Sequence, residues 1–301
     1  MNRNLVVVFV AATILGASLG SILSYLILQS NLQSFQTQIT QLETYNDDLQ
    51  SQVDSLQTSI NVLEESVHSL SLEAKASEMR NAIESDLSNL ITIGEIVAAL
   101  PEVRSAVWET MRATLATYES RLVSGSFIWF CYPNGTYYTT TQGLINRTLS
   151  DRPYFPVAIG GNVSVGTTVY SRSSGLAVHV TAIPVFNGTS VVGILGISTP
   201  LHEWAESIAA RLGIDLPDFF FVLSEDGWIQ MHPQGEMILT ANLVTGEGMD
   251  AAVPYASLTE FLEEALAAKE GTGIYEYGDV AGTCGYTTIT SLHWVVFYVE
   301  A

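Results

Sequence analysis

The sequence predicts an α+β protein built in series: an N-terminal transmembrane helix, a parallel dimeric coiled-coil stalk, then a further long helical segment and two antiparallel-sheet modules. Three observations predict it. Leu5 to Leu28 is an apolar run without a charge, apolar residues keep a heptad from Leu32 to Leu70, and two similar sets of short strands with one helix each follow between Phe127 and Val299.

The apolar run is long enough to cross a hydrocarbon core of about 30 Å with some tilt. A cleaved signal peptide is the competing reading, but its apolar region would hold only about 7 to 15 residues. Arg3 and the amino terminus are the positive charges before the span, whereas Glu43, Asp47, Asp48 and Asp54 follow it and no Lys or Arg comes before Lys75. Positive-inside therefore leaves residues 1–4 in the cytoplasm and puts everything after about residue 29 outside a cell membrane crossed once. Within the span Ala12, Gly16, Gly20 and Ser24 recur every fourth residue, a face on which two helices can approach closely. The residues Gly16 to Gly20 also match the G-x-S-x-G pattern of hydrolases, but that motif needs a strand-to-helix turn and here it sits inside an apolar helix.

In the stalk, Leu32, Phe35, Ile39, Leu42, Asn46, Leu49, Val53, Leu56, Ile60, Leu63, Val67 and Leu70 fall at alternating steps of three and four. Mostly β-branched a positions with leucine at d from Leu42 onward favour two parallel strands, and the single polar a residue, Asn46, sets register. A homodimer is expected. One amphipathic helix packed on its own domain would rarely hold a strict 3.5 repeat for so long. Past Leu70 the apolar register shifts to Leu72, Ala76, Met79, Ile83, Leu87 and Leu90, as expected of a helix that begins to pack against something other than the coiled-coil seam. Pro101 suits the first turn of a second helix, about Glu102 to Leu122, ended by Ser124-Gly125-Ser126.

Strands then follow. Phe127 to Tyr132 and Thr136 to Thr141 flank the turn Pro133-Asn134-Gly135. A polar loop and the segment Asp151-Arg152-Pro153-Tyr154-Phe155 lead to strands near Gly166 to Arg172, Leu176 to Phe186 and Ser190 to Ser198, and a helix from about Pro200 to Leu212 stops at Gly213. The second set reads strand Phe219 to Ser224, turn Asp226-Gly227, strand Trp228 to His232, helix Leu258 to Lys269, and strands near Gly273 to Tyr277, Cys284 to Thr290 and His293 to Val299.

Composition narrows the function. With 31 acidic against 11 basic residues and a net charge of −20, the chain lacks the clustered Lys and Arg that phosphate backbones require, which excludes nucleic acid as a partner. Cys131 and Cys284 lie far apart; one bridge or two separate buried thiols are both open, the second favoured. Sequons at Asn134, Asn146, Asn162 and Asn187 fit a surface-displayed module open to glycosylation. Histidines 68, 179, 202, 232 and 293 show no metal-ligand spacing, and His202-Glu203 lacks a second His four residues after the first, so neither an enzyme nor a cofactor is expected.

The membrane-emergent helix followed by two PAS-like sheets resembles the double Cache sensor domain of extracytoplasmic receptors over roughly residues 75 to 300. The residues that carry the resemblance are Asp151 to Phe155, Val169 to Gly175, Ala182 to Phe186, Val192 to Ser198 and, in the second module, Val222 to Pro233. With 5–28 read as anchor from the apolar run and 29–74 as stalk from the heptad, it implies 75–124 as helical lead-in, 125–213 as the membrane-distal module and 214–301 as the second. It also implies a small-molecule pocket in the first module lined by Arg152 and Tyr154, with Tyr138 and Tyr170 as further candidates. Arginine grips a carboxylate with a planar fork, and an aromatic neighbour shields the pair from water. Amino-acid-binding members carry an acidic residue for the ligand amine where this chain has Ser198, so an organic acid or another small solute is at least as well suited. With four residues inside and no second span before Ala301, output is expected through a separate membrane signalling partner. A stalked structural or adhesion protein without a ligand, and a truncated receptor, are the alternatives.

Overall fold

The computed structural model describes residues 3–123, 125–250, 256–278 and 280–301. Residues 1 and 2 of the expected tail, and Ser124 of the expected helix stop, lie outside them. The chain divides into two compact units, Met1–Ser66 and Val67–Ala301. Helix α1 (Arg3–Ala98) runs through both.

In the first unit the helix holds the one stretch, among the described residues, long and apolar enough to cross a membrane. Its heptad residues lie exposed, Leu42 at 67% and Leu63 at 63%. The polar face is tied by i,i+4 side-chain pairs, Gln50 to Asp54, Gln52 to Asp48 and Gln57 to Asn61.

The second unit begins where the heptad fades. Leu72, Ala76, Met79, Ile83, Leu87 and Leu90 are all buried, as the shifted register predicts. After α1 the expected single helix is two, α2 (Pro101–Arg104) and α3 (Trp108–Glu119). Ala106 takes φ 54 between them, and Ser105 Oγ bonds back to Glu102 O and accepts from Val107 N, a local side-chain bond that competes with the helix.

The first sheet contains β1 (Phe127–Cys131), β2 (Thr136–Thr139), β3 (Gly143–Thr148), β4 (Ser164–Tyr170), β5 (Ala177–Asn187) and β6 (Ser190–Pro200) in the order β3-β2-β1-β6-β5-β4, every neighbour antiparallel. Strand β3 stands where the sequence reads as a polar loop, because this edge strand pairs on one side only and is mostly exposed. Helices α4 (Tyr154–Ile159) and α5 (Leu201–Leu212) follow β3 and β6, and α5 ends at Gly213 in the left-handed conformation.

The second sheet contains β7 (Phe219–Ser224), β8 (Ile229–Met231), β9 (Glu270–Tyr277), β10 (Val280–Ile289) and β11 (Trp294–Glu300) in the order β8-β7-β11-β10-β9, again antiparallel, with α6 (Ala256–Ala268) before β9. The chain is α+β, as the sequence predicts.

Helix α1 serves both cores. Leu72 to Leu87 join the core of the second module, while Leu90, Val97 and Ala98 join the first with α2, α3 and the near face of its sheet. Close approach needs small residues: a Cβ on Gly285 of β10 would strike the backbone of Leu72, and one on Gly94 of α1 would strike the Ile183 side chain. Asp86, 4% exposed, accepts from Trp204 Nε1 at 2.8 Å and from both terminal nitrogens of Arg211, at 2.9 and 2.6 Å, pinning α1 to α5. Cys131 and Cys284 are separate free thiols, and burial pushes Cys131 up to about 12.

A polar cleft in the first module

The far face of the first sheet, away from α1, carries the segment that the sequence singles out. Strand alternation puts Trp129 and Cys131 of β1, Tyr137 of β2 and Val178, Val180 and Ala182 of β5 into one cluster with Tyr154, Phe155 and Ala158 of α4. Trp129 faces Gly196 across the β1–β6 pair, and a Cβ there would collide with the indole. The bare glycine lets Trp129 lie across the sheet and donate from Nε1 to Ser198 Oγ at 2.9 Å. Its ring is 5.6 Å from that of Tyr154 and 6.3 Å from that of Tyr137.

Arg152 enters from the turn before α4. One terminal nitrogen donates to Tyr170 O on β4 at 2.7 Å, whereas its Nε is buried with no acceptor. The Tyr137 hydroxyl is also buried without a bond of ordinary geometry, although Ser173 stands near it. Burial is the larger influence on Tyr137 and raises its pKa; it raises Tyr154 far above the ordinary phenol range. Both therefore remain hydrogen-bond donors. Arg172, beside them, is taken by Asp151 through two bonds of 2.6 and 2.7 Å and also donates to Thr148 O. That fork holds the exposed Asp151 carboxyl down to about 2.

The cleft lined by Trp129, Tyr137, Arg152, Tyr154, Arg172 and Ser198 has a volume of about 10 Å³, space for roughly one water. Among the described residues its lining includes no carboxylate. Chemically it offers donors and positive charge in an aromatic frame.

Of the candidates, Arg152, Tyr154 and Ser198 come together here. Tyr170 contributes its carbonyl to Arg152, while its hydroxyl donates to Ile238 O of the second module at 3.1 Å. Tyr138 lies on the other face, its ring 5.0 Å from Trp108 and 5.9 Å from Tyr132, because neighbouring strand residues point to opposite sides. Sequence reasoning missed Trp129, Tyr137 and Arg172. Tyr137 is one alternation step from Tyr138, and the Trp129–Gly196 pairing depends on a register that no local pattern records. Asn134, Asn146, Asn162 and Asn187 are all exposed.

No protein-family model matches the chain, and no curated protein matches its sequence. Among solved structures, it is similar to the sensory domain of the Campylobacter jejuni chemoreceptor Tlp3 with isoleucine bound, at 12% identity and a TM-score of 0.57 over 80% of this chain and 95% of that one. The ligand-binding domain of the Pseudomonas aeruginosa amino acid chemoreceptor PctB, in complex with L-Gln, matches at 18% identity and 0.55 over 76% and 89%. That of PctC, in complex with GABA, matches at 16% and 0.54 over 77% and 100%. The fold of the chain is that of these double Cache sensory domains.

Proposed function

We propose that this chain, with the double Cache fold as premise, is a membrane-anchored, extracytoplasmic, dimeric binding protein for a small anionic solute, and that it passes occupancy to a separate membrane signalling partner. The observation that carries the reading is the pair of stranded donors in one cleft. Arg152 Nε is buried without an acceptor, and Tyr137 Oη is buried without a bond of ordinary geometry beside Ser173. A buried donor left unpaired costs about 1–3 kcal/mol, more for a charged group. A carboxylate supplies two acceptor oxygens and a charge opposite to that of Arg152. The neighbouring chemoreceptor domains were solved with amino acids or GABA, which supports a small ligand. Those ligands carry an amine, and Ser198, already holding Trp129, provides no countercharge for one. A simple organic acid is the better fit.

The anchor, the exposed seam from Ile39 to Leu70 and the charge asymmetry around the span support a two-stranded stalk with its amino terminus in the cytoplasm. One observation favours a second reading, a stalked spacer without a ligand: side chains nearly fill the cleft. A thermal-shift screen of the full chain in detergent against organic acids separates the two. A carboxylate at 100 times its Kd should add about 2.7 kcal/mol of stability to the wild type and nothing to Arg152→Ala. A blank across the acids, or a shift that survives in Arg152→Ala, rejects the anion cleft.

A further inference from the structure

A cavity of about 360 Å³ lies between the two modules, apart from the Arg152 cleft. Tyr170 of β4 forms part of one wall, and Ser224, Asp226, Trp228, Gln230 and Trp294 of the second module form much of the other. Three side chains of the lining direct donors to protein acceptors. The Tyr170 hydroxyl is spent on Ile238 O, Ser224 Oγ donates to Asp226 Oδ1 at 2.5 Å, and Gln230 Nε2 donates to Trp228 O at 3.2 Å. Acceptors are open here as well. Gln230 is 3% exposed and its Oε1 has no partner, and among the described residues no Lys, Arg or His forms an ion pair with Asp226. The lining thus carries a carboxylate and an open amide oxygen, which that of the Arg152 cleft does not.

A carboxylate, an unpaired amide oxygen and the rings of Tyr170, Trp228 and Trp294 around one cavity are the complement of an N–H-bearing cation. Ammonium groups are drawn to aromatic faces and lose their hydration least expensively where a carboxylate and a carbonyl replace it. The net charge of −20 raises the local concentration of cations around the whole molecule. We propose that the inter-module cavity is a second ligand site, selective for a small organic amine: an ammonium group on an apolar body. It goes beyond the anion cleft and does not depend on it.

Benzylamine is the test probe, with benzyl alcohol as its uncharged counterpart, titrated into the full chain in lipid nanodiscs and followed by tryptophan fluorescence and calorimetry. Benzylamine should bind saturably and at least about tenfold tighter than benzyl alcohol. Asp226→Asn, which keeps an oxygen for Ser224, should weaken it by about tenfold. Gln230→Leu should weaken it by about tenfold as well, without lowering the melting temperature, since it removes an unpaired buried acceptor. Arg152→Ala should leave benzylamine affinity unchanged. Absence of saturable benzylamine binding up to about 10 mM, equal affinity for the alcohol, or an unchanged Kd in Gln230→Leu would each overturn the proposal.

Discussion

The two modules share one strand plan and use it for opposite ends. Reading β1, β2, β4, β5 and β6 against β7, β8, β9, β10 and β11, the sheets have the same order, and β3 is an added edge in the first. At the centre of the first sheet Trp129 faces a glycine; at the centre of the second Phe221 faces Phe297, the rings stacked at 4.7 Å and 1°. Over that pair Phe261 of α6 packs on Phe297 and Tyr286, filling space that Gly273 leaves open. The first module instead lays Arg152, Tyr154 and Tyr137 over its sheet and leaves donors unmatched. Topology supplies the frame, and a few cross-strand positions decide whether it holds a dry core or a polar cleft.

The largest test of this contrast lies in how each sheet seats α1. Gly285→Ala should cost about 3 kcal/mol in chemical denaturation, because the new Cβ meets the Leu72 backbone and no side chain can give way. Gly94→Ala should cost about 1 kcal/mol, since the tip of Ile183 can rotate aside. Equal costs would mean that the two seats are alike.

Acid should act on both modules. Burial pushes His179 of the first and His232 of the second down to about 4. The unfolded imidazoles bind protons near pH 6.5, so each contributes stability that is present above that value and is lost as pH falls towards 4, up to about 3 kcal/mol apiece. The melting temperature should fall steeply across this window. His179→Gln, which retains an acceptor for Gly166 N, should remove about half of the slope. A slope unchanged by that variant would place the acid response elsewhere.

Trp129→Phe gives a smaller effect, about 1 kcal/mol from the lost bond to Ser198 Oγ, read by thermal melting. Loss beyond about 4 kcal/mol would show that the first module's face is as dry and tightly packed as the second's. Asp151→Asn stands last: the carboxylate is exposed, and the variant should leave the melting temperature unchanged while removing a group that titrates at about 2. A clear drop would make the Asp151–Arg172 pair a strut of the cleft.

Much of the fold was legible because local signals agree. The shifted register from Leu72 to Leu90 marks a buried helix face, Gly213 stops α5, and alternation locates most strands. What escaped depends on distant partners. Strand β3 is held by pairing with β2 rather than by its own pattern, and the helix break at Ala106 rests on one serine side chain. In the cleft, the Asp151 to Phe155 segment and Ser198 were visible as pieces, but Trp129, Tyr137 and Arg172 were not. Trp129 and Gly196 meet only once β1 and β6 pair, and the choice between Tyr137 and Tyr138 turns on a single step of register.

The shared use of α1 also bears on cooperativity. One uninterrupted helix supplies Ala76, Met79 and Ile83 to one core and Leu90 and Val97 to the other, and Asp86 ties it to the helix that joins the two sheets. Neither sheet can melt without stripping partners from a helix on which the other still depends. Residues 67 to 301 should therefore unfold in a single transition, and a cut at 125 or 214 would yield fragments with open cores rather than two independent folds.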